Sequence, residues 1–316
     1  MRKTFILLAA ICCTLFTFAD AIKIGDLYYT FDSSTQTAEV ATCPSDDKYT
    51  GDLVVPATVD YESVTYNVKS IASLAFANCE GLTDVNISNS IDTIHFGAFY
   101  QCTGLKSITI PDNVVYIAEG TFLGCSALTS VTLSKNIKFI GLSLFKDCTS
   151  LNSISIPGSV EWIGGTAFSG CTALKTVVMQ SGVKEILQYA FNNCTALTKV
   201  IIPATVETID IGAFQQCTSL NNIQCSALTP PECETLVFSG VNVAACDLYV
   251  PEESVELYKN ANTWKEFGNK IQPMQTAIDQ VSSQKSAISN QKVIRNGQLF
   301  IQRGDELFNL NGARVK

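Results

Sequence analysis

The segment Ile117-Ala118-Glu119-Gly120-Thr121-Phe122-Leu123-Gly124-Cys125-Ser126-Ala127-Leu128-Thr129-Ser130-Val131-Thr132-Leu133 is one beat of a clock that runs through the middle of the chain. Its isoleucine recurs at Ile71, Ile94, Ile140, Ile163, Ile186 and Ile209, an interval of 23 residues each time. Phe122 belongs to the series Phe76, Phe99, Phe145, Phe168, Phe191 and Phe214, and Cys125 to Cys79, Cys102, Cys148, Cys171, Cys194 and Cys217. Leu128 keeps time with Leu82, Leu105, Leu151, Leu174, Leu197 and Leu220. Four identities held through seven units without an insertion are the signature of stacked structural repeats. The chain is a solenoid.

The chemistry of one unit assigns its parts. Phe122, Cys125 and Leu128 are spaced by three, which sets them on one side of a short helix or 3₁₀ turn. Val131 and Leu133 alternate with Ser130 and Thr132, the period-two pattern of a strand with one face inward. The equivalent inward pairs are Val85/Ile87, Ile108/Ile110, Ile154/Ile156, Val177/Met179 and Val200/Ile202. Pro111, Pro157 and Pro203 follow three of these strands and end their pairing. A unit offers about seven inward side chains, each worth about 1.5–3 kcal/mol when fully buried. Ordering its backbone costs about 1–2 kcal/mol per residue. One unit cannot balance that alone, so the array folds only as an array. A period of 23 falls in the range of leucine-rich repeats, and the expected fold is an α/β solenoid of seven such units between two caps.

The flanks differ from the array. Arg2 and Lys3, the apolar run Phe5–Phe18, and Ala19-Asp20-Ala21 have the order of a secretory leader with its cleavage site. Ile22–Phe31 and Ala38–Thr42 read as two arms of a hairpin, and Val59–Val68 as a second one. Leu248-Tyr249-Val250-Pro251 reads as a last degenerate strand. Val255, Tyr258, Trp264 and Phe267 then suit an amphipathic capping helix broken near Asn260. The division is a leader over 1–21, an N-terminal β cap with a first degenerate repeat over 22–70, and the solenoid over 71–231. A C-terminal strand-helix cap over 232–273, a linker over 274–291 and a short β tail over 292–316 follow. With 47% hydrophobic and 16% charged residues, the chain is too apolar to be disordered. Its net charge of −8, with no basic block, argues against nucleic acid or anionic membrane as partner. Beyond the leader no segment has the uninterrupted apolar length of a membrane helix.

The unit Ile-x4-Phe-x2-Cys-x2-Leu-x2-Val-x-Ile-Pro-x2-Val resembles the BspA-like leucine-rich repeat family of surface proteins, of the Treponema pallidum type. The resemblance covers residues 50–271, including the Thr229-Pro230-Pro231 junction and the Tyr249-Val250-Pro251 cap. The stretch from Val293 through Lys316 is similar to the C-terminal tails of exported Bacteroidetes proteins, though shorter than the sorting domains of type IX secretion. The resemblance implies a cell-surface or secreted protein that binds or adheres to extracellular or cell-surface proteins of a host or of neighbouring cells. A structural, self-associating surface component, joined through solenoid edges or Cys43, is the alternative.

The residues offer little to catalysis. A line of thiols does not converge on a point, as zinc requires, and parallel Cβ vectors give poor disulfide torsions. The repeated cysteine is therefore expected to be a small buried spacer. Outside the ladder stand Cys43, Cys225, Cys233 and Cys246. With the seven of the ladder they bring the count beyond the leader to eleven, an odd number, so at least one thiol is free or pairs between molecules, and a Cys233–Cys246 bridge stays open. His95 occupies a variable slot after Ile94, and Glu252/Glu253 and Asp46/Asp47 lie in polar loops. No phosphate loop, metalloprotease helix or nucleophile elbow is present. No enzyme activity, metal or cofactor is expected. The surface able to act is the outward side of the strands, with one row through Ser107, Ser130, Ser153, Thr176 and Lys199. A second row runs through Thr109, Thr132, Ser155, Val178 and Ile201. Repeats display one side chain per unit on such a face, which makes it the candidate binding surface.

Overall fold

Residues one repeat apart pair rung to rung in the computed structural model. It describes residues 21–44 and 47–274, and the backbone of four short strands between 290 and 315. The stretch read as a leader, through Asp20, and most of the stretch read as linker lie outside the described residues. Ile71 stands opposite Ile94 and Ile94 opposite Ile117, all in parallel register. Ile140, Ile163, Ile186 and Ile209 continue the same column of two-residue strands. A second column holds the longer strands, from Gly51–Val55 through Leu82–Ile87 and Ser107–Thr109 to Asp247–Val250. The longer strands form three ladders, broken before Ser107 and before Ser153, while the short column breaks between Ile117 and Phe139. Single bonds such as Lys106 N–H to Thr83 O at 3.2 Å carry the stack across.

The third side of each unit is a turn. The Cys125 amide donates to Phe122 O at 3.2 Å and the Leu128 amide to Cys125 O at 3.0 Å, the i→i+3 bonds of successive tight turns. The units take neither of the two forms expected, short helix or 3₁₀ turn, but a succession of tight turns, because left-handed residues interrupt any helical run. Among the described residues, Val255–Asn260 in the C-terminal cap is the α-helix. Each turn passes twice through the left-handed region, at Gly120 and Gly124 in one unit and at Ser143 and Asp147 in the next. The Phe145 amide donates to Ala167 O of the following unit at 2.8 Å, so turns are bonded to turns as strands are to strands. Inside, Phe76 through Phe214 stack with ring centroids 4.8–5.4 Å apart and near-parallel planes. All seven rings are fully buried, with the ladder Cys and Ile rows beside them.

The stack runs past residue 231, where the sequence pattern breaks. One extra residue shifts the interval to 24: Cys233 stands opposite Ile209, and Phe238 stacks on Phe214 at 5.7 Å. The segment given to the cap therefore begins with an eighth unit, in which Cys233 takes the isoleucine slot. Beyond it the Trp264 indole N–H donates to Pro231 O at 2.9 Å and the Tyr258 hydroxyl to Ala227 O at 2.9 Å. Phe267 meets Phe238 edge-on. The cap helix ends at Asn260 and resumes as a 3₁₀ segment at Trp264.

At the other end, Ile22–Ile24, Leu27–Asp32 and Thr37–Val40 form an antiparallel meander. The arm expected over 22–31 is thus two strands, because Gly25 at φ 61° turns the chain between Ile24 and Leu27. Thr58–Tyr61 and Val64–Ile71 form the second hairpin; Thr37–Val40 pairs with Val64–Ile71, and Val64–Ile71 leads into the short-strand column. In the separate unit Pro273–Lys316, four strands pair antiparallel in chain order, with Arg295 opposite Gln298. Its first strand starts at Asn290, inside the stretch read as linker.

Candidate functional site

Alternation along the long strands puts ten polar and aliphatic side chains on one side. Ser107 pairs with Ser130 and Thr109 with Thr132. Beyond the break, Ser153, Thr176 and Lys199 share one row, and Ser155, Val178 and Ile201 the other. Both rows continue past the ten, through Asn222 and Gln224 to Asp247 and Tyr249. Tyr249 adds an aromatic group to the face; it follows Gln224 after 25 residues rather than 23, which hid it. Ser130, Thr132, Ser153 and Ser155 are exposed, while Thr176, Val178, Lys199 and Ile201 are half-buried. Val131, expected inward, is itself only half-buried. At the far end Asp247 Oδ1 accepts from Lys270 Nζ and Gln272 Nε2, each at 3.3 Å. The face is a lattice of hydroxyls and short side chains, able to exchange hydrogen bonds along its length.

The short-strand column has an outer face that sequence reasoning missed. Tyr116, Phe139 and Trp162 each stand directly before a ladder isoleucine, in three successive units. Phe139 and Trp162 stack at 4.5 Å and 6°, and Tyr116 meets Phe139 edge-on at 5.9 Å. Tyr116 is 41% exposed, and Val115, Phe96 and Leu142 nearby are exposed as well. The available signal was the position before the isoleucine, but Ser70, Thr93, Glu185 and Thr208 fill it elsewhere and mask it. Past Trp162 the column turns acidic. Glu185 and Glu232 follow in its row. Burial, with the charges of Glu234 and Glu185, holds the Asp210 carboxyl above its usual range.

The remaining candidates sit where chemistry is suppressed. All eleven described cysteines are free thiols, so the Cys233–Cys246 bridge is not formed: both thiols sit in the packed end of the stack. Burial pushes Cys171, Cys233 and Cys246 up to about 12, far from the reactive thiolate. Cys43 is buried and not presented to a second molecule. His95 Nε2 lies 3.3 Å from Glu39 Oε1 at the surface. Asp47 accepts from Lys23 Nζ and the Tyr28 hydroxyl, both at 2.6 Å, a tie within the N-terminal cap. Among the described residues no three His, Cys, Asp or Glu side chains are grouped to hold a metal ion.

Comparison with known proteins gives the same picture. A family model described as BspA type leucine rich repeat region matches residues 60–161 and 138–261, in six copies. The crystal structure of a Treponema pallidum leucine-rich repeat protein is similar with a TM-score of 0.55 and 25% identity, covering 63% of this chain and 90% of that one. A leucine-rich cell surface protein from Faecalibacterium prausnitzii is 22% identical over 87% of this chain and 98% of its own, with a TM-score of 0.35. Comparison with the curated proteins finds no match.

Proposed function

The chain belongs to the BspA-type leucine-rich repeat family, and from that premise we propose that it is an exported surface or secreted protein that binds other proteins through its long-strand face. The observation that carries this reading is the pair of in-register outward rows from Ser107/Thr109 to Asp247/Tyr249. Small side chains on a rigid array leave the face accessible and order it in advance, which lowers the entropy cost of binding. Few large anchors stand on it, so affinity comes from many modest contacts rather than from hot spots. Partners are extracellular or cell-surface proteins of a host or of neighbouring cells, and the activity is adhesion, not catalysis. The apolar leader before Ile22 supports export.

The test is a binding screen of the chain from Ile22 onward against matrix proteins, mucins and glycans, followed by a charge variant. Ser130→Glu with Ser153→Glu places two carboxylates at exposed positions mid-array. Such surface changes alter stability by less than about 0.5 kcal/mol. A desolvated or like-charge contact costs several kcal/mol in an interface. The variant should melt with the parent and lose the binding that the screen detects. Binding that survives there and falls with charge at Thr65 would move recognition to the N-terminal hairpin.

A further inference from the structure

We propose that the outer face of the short-strand column is a second interaction surface, and that its partner is a lysine- or arginine-bearing apolar segment of another protein. Two adjoining halves of this column carry the inference. Tyr116, Phe139 and Trp162 form a continuous aromatic row, Tyr116 exposed and the other two half-buried, and Val115, next to Tyr116 in the chain, is exposed as well. Buried aromatics hold this solenoid together elsewhere, so an outward stack of three serves no core. Exposed apolar patches of this kind mark interaction sites.

The adjoining half decides the occupant. Between 185 and 234 the chain carries Glu185, Glu207, Asp210, Glu232 and Glu234 against a single cation, Lys199. Lys199 belongs to the long-strand rows, on the other face. Lys184 at the edge of this region is engaged with Glu161 at 3.1 Å. No arginine occurs anywhere from 21 to 274. Glu185 stands directly opposite Trp162 in the parallel register, so the aromatic row and the carboxylates are consecutive rungs. A segment lying along this column meets apolar contact first and unneutralised negative charge next. Carboxylates crowded without counter-ions favour a cationic partner and repel an acidic one. An anionic lipid surface is disfavoured on the same ground.

The chain reports on its own contact. It has two tryptophans, and Trp264 is fully buried while Trp162 is half-buried, so a change in emission on binding reads Trp162. The probe is a short synthetic peptide alternating lysine with leucine, titrated beside a glutamate–leucine counterpart into the chain from Ile22. Saturable binding is expected for the first peptide and not for the second, weakening as salt is raised. Glu185→Gln with Asp210→Asn and Glu234→Gln should weaken binding by about tenfold or more. These substitutions remove mutual repulsion and should leave the melting temperature level or raised. Trp162→Leu, followed by calorimetry, should weaken it as well. Equal binding of the two peptides overturns the proposal, as does no binding of either, or retention by the neutralised chain. The Ser130→Glu, Ser153→Glu variant should bind the lysine peptide unchanged; loss there would assign the contact to the long-strand face instead.

Discussion

The Cys148 thiol donates to the Phe122 carbonyl at 3.2 Å, across one turn of the solenoid. The same oxygen accepts the Cys125 amide at 3.2 Å, so it serves its own unit and the next. Five equivalent thiol bonds, from Cys102→Phe76 to Cys217→Phe191, repeat the arrangement at 3.0–3.2 Å. Cysteine is thus a spacer with a donor, small enough for the turn and able to reach a carbonyl one layer away. Cys148→Ala keeps the size class but loses sulfur contacts and donor together. It should cost about 1–2 kcal/mol, read from the denaturation midpoint, the sum of a small cavity and a weak bond.

Thiol accessibility follows from the same burial. Ten of the described cysteines are buried and Cys233 is intermediate. At neutral pH a thiol-reactive disulfide reagent should find at most Cys233 in the folded chain from Ile22. All eleven should react once denaturant is added. Rapid labelling of several thiols without denaturant would mean that the turns open readily.

Stability should fall in alkali. Burial raises Cys79, Cys171, Cys233 and Cys246 from 9.0 to about 12, and Tyr29 from 10.0 to about 12. A thiol in the unfolded chain therefore loses its proton first as pH rises. Below about pH 9 both states hold these protons and the contribution is constant. Above it the unfolded state is favoured by about 1.4 kcal/mol per pH unit for each such group, until the folded pKa is reached. Melting temperature should be level from pH 7 to about 8.5 and drop steeply beyond. A flat profile to pH 10.5 would contradict the burial of the row.

Phe145 lies between Phe122 at 5.3 Å and Phe168 at 5.4 Å and is fully buried. Phe145→Ala should destabilise by about 3–5 kcal/mol, because neither neighbour can close the gap without leaving its own stack. Calorimetric melting is the measurement, and a change within error would refute the central rung.

Gly164 tests how closely backbones approach beside the aromatic face. A Cβ there would stand 2.7 Å from both the Gly141 carbonyl carbon and Ile140 O. Gly164→Ala should cost about 1–3 kcal/mol by overpacking. Gly25→Ala meets no atom within 4 Å but sits at φ 61°, so its cost of about 1–2 kcal/mol is conformational. A D-alanine at position 25, introduced by semisynthesis, should restore the lost stability, since a positive φ suits it and no atom stands within 4 Å.

The array was legible because its spacing is rigid: Ile, Phe, Cys and Leu recur at 23 with their roles attached. What escaped lay where the interval slips or the residue type changes. One inserted residue near Thr229-Pro230-Pro231 moved Phe238 off the clock and a second, before the last strand, moved Tyr249, although packing absorbs them and Phe238 still stacks on Phe214. The Ile24–Leu27 turn needs only Gly25 and Asp26, too short a punctuation to divide an otherwise apolar run. The aromatic row of Tyr116, Phe139 and Trp162 holds in three units only, and half-exposed aromatics beside a core column read as part of that core. The ten residues of the long-strand face came directly from alternation, since a strand's period of two leaves no freedom in which side points out.

Pairing in register has a consequence for how such a chain can change over generations. In the short column Ile140 meets Ile163, and Ile163 meets Ile186, through the same two-residue rung. Removing residues 163–185 would bring Ile186 against Ile140, Phe191 against Phe145 and Lys199 against Ser153. Every ladder would close again, with both ends of the molecule untouched. A duplication of the same stretch would lengthen it by one layer at equally little structural cost. Reach is therefore a heritable quantity in this protein, adjustable in whole units by a single genetic event, while the caps at either end are kept intact.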